Sequence, residues 1–216
     1  MSKTKPSPSG DDVETAGDDE KRLSDDVESV SQQLADDDAT LSFEKAIPAL
    51  ARRAVETFVS EGRVVESQPS APPFLTEQRS ACFVSIKTLE RDLRGCIGTI
   101  EPERASLAEE IIANAISAAT RDPRFPPVAA EELPFLRYSV DVLDPPEPTR
   151  FEDLDPSVFG VIVVDSQGLR RGLLLPAIEG INTAGQQVQI AARKAGIAPQ
   201  EPLALYRFRV RRFGEP

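Results

Sequence analysis

The spacing of apolar residues alternates along the chain between helix-like and strand-like patterns. Over residues 47–61 apolar side chains recur three and four positions apart, with Pro48 suited to a first helical turn and Gly62 to the helix end, which predicts a helix. Over residues 81–88 and 93–100 apolar and polar side chains alternate on either side of a charged turn. This second pattern predicts a β-hairpin.

The rest of the pattern continues this alternation of hairpins and helices. We expect a helix opened by the capping-box spacing of Ser106 and Glu109, a strand over 138–142, a hairpin over 161–164 and 169–175, a helix over 183–194, and a last strand over 203–213. Hairpins stand where a doubly wound fold would need crossover helices, so the order predicts an α+β fold with a largely antiparallel β-sheet and flanking helices. No internal repeat is apparent in the sequence.

Charge divides the chain into two predicted regions. Residues 1–42 hold 12 acidic and 4 basic residues and no aromatic residue, whereas the whole chain carries a net charge of −11. Such a segment buries too little apolar surface to order itself. We therefore predict a disordered acidic tail over 1–42 and one folded domain over 43–216. The N-terminus lacks the apolar stretch of a secretory signal and no run approaches the ~20 apolar residues of a membrane span, so we expect a cytoplasmic protein without a membrane segment.

The content of histidine and cysteine limits the chemistry. The chain has no histidine, which excludes catalysis by an imidazole base. Its two cysteines, Cys82 and Cys96, are too few for a four-thiolate zinc or iron–sulfur site. We predict no metal and no cofactor, and we expect both cysteines to be reduced thiols.

The most informative stretch is the predicted strand that runs from Leu93 to Gly98. Strand alternation places Arg94, Cys96 and Gly98 on one face, and Leu93 and Ile97 on the face toward the core. A guanidinium beside a thiol favours the nucleophilic thiolate, and glycines in a strand, here Gly95 and Gly98, allow another group to approach the backbone closely. The alternative is a small, buried cysteine between packing glycines, and the residue types leave both interpretations open.

A second unusual segment, residues 119–128, follows the predicted second helix. Pro123, Pro126 and Pro127 make it rigid. It is either a stiff helix exit, or a turn that presents Arg121 and Arg124 to a carboxylate or phosphate group.

Three motifs follow one another along the chain, Leu93–Gly98, Ala118–Pro127 and Arg171–Pro176, with residues 194–197 and 205–208 after them. In this order they resemble the AMMECR-one domain family, whose bacterial branch is called AmmeMemoRadiSam system protein A. The resemblance implies two subdomains around an antiparallel sheet, and a cytosolic protein encoded alongside a Memo-type protein and a radical SAM protein. This chain departs from many relatives at two positions, with Ala192 in place of a cysteine and Ala177 in place of a polar residue.

Two functions of different classes follow from the motifs. The one we favour is a non-catalytic binding or adaptor component, working with the implied Memo-type and radical SAM partners, whose motif face docks a partner protein or a small anionic ligand. The alternative is an enzyme subunit in which Cys96 is a nucleophile or covalent carrier and Arg94 stabilises charge, with Glu101, Glu132, Asp122 or the thiol itself moving protons. Enzymatic activity is left open. The expected binding residues are Gly95, Gly98, Arg121, Asp122, Arg124 and Phe125.

Nucleic acid is a weaker candidate partner. Alternation in the last predicted strand places Arg207, Arg209 and Arg211 on one face. The net negative charge of both the tail and the folded domain repels phosphate, so we do not expect nucleic acid to be the partner.

Overall fold

The computed structural model describes residues 44–66 and 71–216, and the predicted tail over 1–42 lies outside them. No helix in the described ranges is long and apolar enough to cross a membrane. The helices are α1 (residues 44–61), α2 (Pro73–Thr76), α3 (Leu107–Thr120) and α4 (Ala184–Lys194), with 3-10 helices at Ala130–Phe135 and Phe151–Asp153. The strands are β1 (Cys82–Thr88), β2 (Leu93–Gly98), β3 (Leu136–Leu143), β4 (Glu147–Pro148), β5 (Gly160–Asp165), β6 (Arg171–Leu174), β7 (Leu203–Phe208) and β8 (Val210–Gly214).

The described strands form two four-stranded sheets. The first has the order β2-β1-β3-β8 and the second β4-β7-β5-β6, and neighbouring strands are antiparallel throughout. The predicted α+β class is therefore confirmed, with two antiparallel sheets.

Each sheet is built around the same ββαβ unit. In both units a hairpin is followed by a helix, and the next strand returns beside the first strand of the hairpin: β1-β2-α3-β3 in one and β5-β6-α4-β7 in the other. Both helices have a capping hydroxyl, because Ser106 accepts from the Glu109 N–H and Thr183 from the Gln186 N–H. The repeat lies in the topology, which is set by strand pairing, so it was not apparent in the sequence.

A glycine lets the helix of each unit approach the edge strand of its hairpin. A Cβ atom at Gly95 would overlap the carbonyl oxygen of Ala118 in α3, and one at Gly172 would overlap that of Ala191 in α4. Any larger residue would push helix and strand apart.

The predicted single strand over 203–213 is wrong, because the chain changes sheets at Arg209. β7 pairs with β5 in the second sheet and β8 pairs with β3 in the first. The reverse crossing occurs between β3 and β4, and the Asp144 N–H donates to the Arg209 carbonyl at 3.0 Å where the two crossings meet. Each sheet thus receives its fourth strand from the other unit. A buried cluster joins these parts: Ala81, Leu143, Ile162, Leu173 and Phe208.

Candidate functional site

The candidate site lies on β2, an edge strand of the first sheet, where the pairing contains a β-bulge. Ile86 pairs with Gly95 and Lys87 pairs with Leu93, which leaves Arg94 as the extra residue. The expected core position of Leu93 is wrong: the bulge shifts the alternation, and Leu93 is 38% exposed. Gly95 instead takes the inner position, opposite the buried Ile86.

Cys96 lies on the outer face of this sheet, in register with Ser85 on β1. The Ser85 hydroxyl donates to the Cys96 sulfur at 3.2 Å, and the Cys96 N–H donates to Oδ2 of Asp122 at 2.8 Å. The turn after α3 is therefore tied directly to the strand that carries the thiol.

Asp122 and Arg124 form a tight ion pair beside Cys96. The Arg124 guanidinium donates to both carboxylate oxygens at 2.9 and 2.7 Å, and the Arg124 N–H adds a third hydrogen bond. These donors, the guanidinium first, hold the pKa of Asp122 well below its usual range against the opposing effect of burial. Arg124 itself is 54% exposed, so the pair presents its cationic side to solvent.

A second pair of the same kind lies on β8 and β3, on the same outer face of the sheet as Cys96. The Arg212 guanidinium donates to both oxygens of the buried Asp141 at 2.6 and 3.1 Å and is 52% exposed. The hydrogen bond to Asp141 chiefly raises the pKa of Arg212, as the hydrogen bond to Asp122 does at Arg124.

Sequence reasoning missed Asp141 and Arg212 as site residues. Asp141 was visible as a polar position in an alternating strand, but its partner was not. The missing signal was the position of β8, which lies in the first sheet only because the chain changes sheets after β7.

Arg94 positions the turn rather than the thiol. Its guanidinium donates to both carboxylate oxygens of Glu132 at 2.7 and 2.9 Å and to the Pro126 carbonyl at 3.0 Å. The same bond lowers the pKa of Glu132. The Phe125 ring lies within 5.9 Å of the Arg94 guanidinium carbon and 5.4 Å of that of Arg124. Arg94 therefore holds the segment that carries Phe125 and Arg124.

The two glycines of the motif contact groups of the chain itself. A Cβ at Gly98 would overlap the Phe83 ring, as one at Gly95 would overlap α3. Packing within the chain thus explains both glycines without a bound ligand.

Arg121 lies away from the other predicted site residues. It lines a cleft of about 590 Å³ between α1 and α3, together with Phe58 and Ile112. The structure thus brings Cys96, Arg94, Asp122, Arg124 and Phe125 together and leaves Arg121 apart.

The remaining candidates for chemistry are placed elsewhere or buried. Cys82 is fully buried in β1, and burial raises the pKa of its thiol to about 12. Glu101 forms an ion pair with Arg171 of β6. Across the described ranges, no three Cys, Asp or Glu side chains come together as ligands for a metal ion.

Fold and site together define a two-sheet α+β protein with a thiol between two Asp–Arg pairs, and comparison with known proteins places it in a family. The AMMECR1 family profile matches residues 48–213, and the chain belongs to that family. A protein of Thermotoga maritima is 48% identical over 163 residues, which cover 74% of this chain and 92% of the relative. A longer protein of Clostridium acetobutylicum is 44% identical over 170 residues, which cover 77% of this chain and 35% of that protein.

A solved structure shares the fold. The crystal structure of an uncharacterised protein from Pyrococcus horikoshii aligns with a TM-score of 0.73 at 32% identity and covers 81% of this chain and 92% of the other. The family resemblance that the motifs indicated is confirmed.

Proposed function

We propose that this protein is a binding component of an adaptor type, which docks a partner protein through the surface around Cys96. The Cys96 surface comprises the outward side chains of Ser85, Cys96, Arg124, Phe125 and Arg212. The partners we propose are the Memo-type and radical SAM proteins that the family resemblance implies.

The two Asp–Arg pairs on either side of Cys96 are the observation that carries this proposal. Asp122 and Asp141 fix the guanidiniums of Arg124 and Arg212, and both guanidiniums are half-exposed. In the described chain no hydrogen bond uses Nη1 of either arginine, so each keeps donors for an incoming carboxylate. Arginine and aromatic side chains of this kind contribute most of the binding energy at many protein interfaces.

The same ion pairs favour binding over proton transfer. A general base works best when its pKa lies near the working pH. The pKa of Asp122 and that of Glu132 are both lowered by hydrogen bonds from arginine, so both carboxylates hold protons poorly. The acidic groups that surround the motif thus stabilise the surface and are weak bases.

The test is a binding assay with purified Memo-type and radical SAM proteins. We expect Arg124→Gln with Arg212→Gln to weaken the complex by about tenfold or more, because each charged hydrogen bond contributes on the order of 1.5–3 kcal/mol. The matched control is Lys45→Gln with Arg53→Gln, which changes two exposed cations on α1.

Protection of the thiol provides a second measurement. A docked partner should slow the alkylation of Cys96, while the buried Cys82 serves as an internal reference for unfolding. Equal affinity of the arginine variant and the control, or no binding of either partner, would contradict the proposal.

A second candidate, thiol chemistry at Cys96, has one specific observation in its favour. The Ser85 hydroxyl donates to the sulfur at 3.2 Å and so holds it in a defined position on the outer face. In this case Cys96→Ser would abolish a turnover measured with the partners present, whereas the docking proposal expects the variant to bind and function as the wild type does.

A further inference from the structure

A cationic cleft lies beside the Cys96 surface, on the same outer face of the first sheet. Its volume is about 500 Å³, and its walls come from β1, β3, β8 and the turn between β1 and β2. Four basic residues line it: Lys87, Arg91, Arg137 and Arg212.

Two of these cations are directly opposite each other in the sheet. Lys87 on β1 pairs in register with Arg137 on β3. Like charges in directly opposite positions of an antiparallel pair destabilise the sheet. The chain carries a net charge of −11, so a local excess of positive charge is not a general property of its surface. Such a loss of sheet stability is expected where the two positive charges bind a ligand.

Two acidic groups nearby, Glu215 and Asp141, already accept hydrogen bonds from arginine. Glu215, which also lines the cleft, accepts two hydrogen bonds at 2.6 Å from Arg52 of α1 and one from the Tyr138 N–H. Asp141 is held by Arg212. The side chains of Lys87 and Arg91 make no hydrogen bond or ion pair within residues 44–66 and 71–216, so the cleft keeps a surplus of positive charge.

The cleft already holds an oxygen acceptor and can hold more. Arg137 Nε donates to the Pro216 carbonyl oxygen at 3.1 Å inside it. Lys87, Arg91 and Arg212 supply further donors on the walls of a space of the size of a small ligand.

We propose that this cleft binds a compact oxyanion with two or more negative charges, such as the phosphoryl or polycarboxylate group of a small molecule. This cleft shares Arg212 with the Cys96 surface, but the inference does not depend on the protein-docking role of that surface. Lys87 in the cleft and Ser85, the neighbour of Cys96, lie two residues apart on one face of β1, so their Cα atoms are separated by about 7 Å. A bound small molecule can therefore extend from the cleft toward Cys96.

The experiment measures the binding of inorganic pyrophosphate and of citrate by calorimetry to the full chain. We expect wild-type protein to bind at least one of them, and Lys87→Gln with Arg137→Gln to bind about tenfold or more weakly. The relative affinities of the two probes distinguish a phosphoryl ligand from a polycarboxylate. The matched control, Lys45→Gln with Arg53→Gln, also removes two positive charges, but from α1, and should bind the probes as the wild type does.

If a variant does not bind the probes, its melting temperature shows whether it is still folded. Lys87→Gln removes one of two opposed like charges, so the ligand-free variant should melt at the same temperature as the wild type or higher. Arg124→Gln, which removes a cation of the proposed docking surface that does not line the cleft, should bind the probes unchanged, which separates this inference from the proposed docking function.

Three outcomes would overturn the inference. The first is wild-type protein that binds neither probe, and the second is the same loss of affinity in the α1 control. The third is single-stranded RNA that binds through Lys87 and Arg137 while pyrophosphate and citrate do not, which would assign the cleft to nucleic acid.

Discussion

Gly95 is a residue at which the first sheet and α3 approach each other closely, so its substitution has a clear expected cost. Because a Cβ there would overlap the Ala118 carbonyl, Gly95→Ala must displace the helix or the strand. We expect a loss of about 1–3 kcal/mol in the free energy of unfolding, measured by urea denaturation.

Gly185 provides the matched control for this prediction. It lies in the first turn of α4, and the nearest atom to an added Cβ, in the Phe151 ring, is 3.9 Å away. Gly185→Ala should therefore leave stability unchanged or raise it by up to about 1 kcal/mol. A Gly95→Ala variant as stable as Gly185→Ala would show that α3 does not approach β2 as described.

Asp122 should make stability depend on pH in the acidic range. Its pKa is lowered in the folded protein, chiefly by Arg124, so the folded state binds this proton less readily than the unfolded state, where an aspartate titrates near about 3.9. The stabilisation is then complete above about pH 5 and decreases as the pH falls further.

The Asp122→Asn variant tests this dependence. It should be less stable than wild type by about 1–3 kcal/mol at neutral pH, because the Cys96 N–H and Arg124 lose a charged acceptor. The difference should shrink in urea titrations at pH 4 and below. Glu131→Gln, at an exposed position, is the control, and a constant difference across pH would contradict the assignment.

At the scale of secondary-structure elements, Glu110 fastens the segment after β2 to the start of α3. Its buried carboxylate accepts hydrogen bonds from the Thr99 hydroxyl at 2.7 Å and from the N–H groups of Glu103 and Arg104 at 2.8 Å. In the Glu110→Gln variant the side-chain NH₂ group would face one or more of these donors and could not accept a hydrogen bond from them. We expect Glu110→Gln to lower the free energy of unfolding by about 1.5–3 kcal/mol.

The neighbouring glutamate is the natural comparison. Glu109 is exposed and makes one hydrogen bond of 3.3 Å to the Ala105 N–H. Glu109→Gln should change stability by less than about 0.5 kcal/mol. If the two variants were equally stable, the segment over 101–105 would not be held by Glu110.

Elements whose signals are local were predictable from the sequence. Alternation located the β1–β2 hairpin, and capping hydroxyls located the starts of α3 and α4, because both signals depend on near neighbours in the chain. The break at Arg209 was not predictable, since alternation continues across it and only the tertiary arrangement assigns β7 and β8 to different sheets. The bulge at Arg94 was missed for the same reason.

In the candidate site, too, the residues that are close in the chain were predictable and those that are distant were not. The motifs identified Cys96, Asp122 and Arg124, which lie within two short segments. The Asp141–Arg212 pair joins residues far apart in the chain through the β3–β8 register, which the sequence does not specify.

At the scale of the whole molecule, the exchange of strands between the two sheets links their stabilities. Each ββαβ unit gives its fourth strand to the other sheet, and the cluster that contains Ile162 and Phe208 is buried between them. If one unit unfolds, the sheet of the other unit loses an edge strand, β4 or β8. We therefore expect residues 44–216 to unfold as one cooperative unit.

A substitution in the second sheet can test this cooperativity through a thiol in the first. Val163 is fully buried in the core of the second sheet with Ala191 of α4, and Val163→Ala should cost about 2 kcal/mol. Cys82 lies fully buried in β1 and is alkylated only when the first sheet opens. If opening is global, the variant should speed the alkylation of Cys82 by about thirtyfold, the factor that corresponds to the loss of stability. Val158→Ala, at an exposed position, should leave the rate unchanged. An unchanged rate in Val163→Ala, with its lower stability verified by circular dichroism, would mean that the first sheet opens independently of the second.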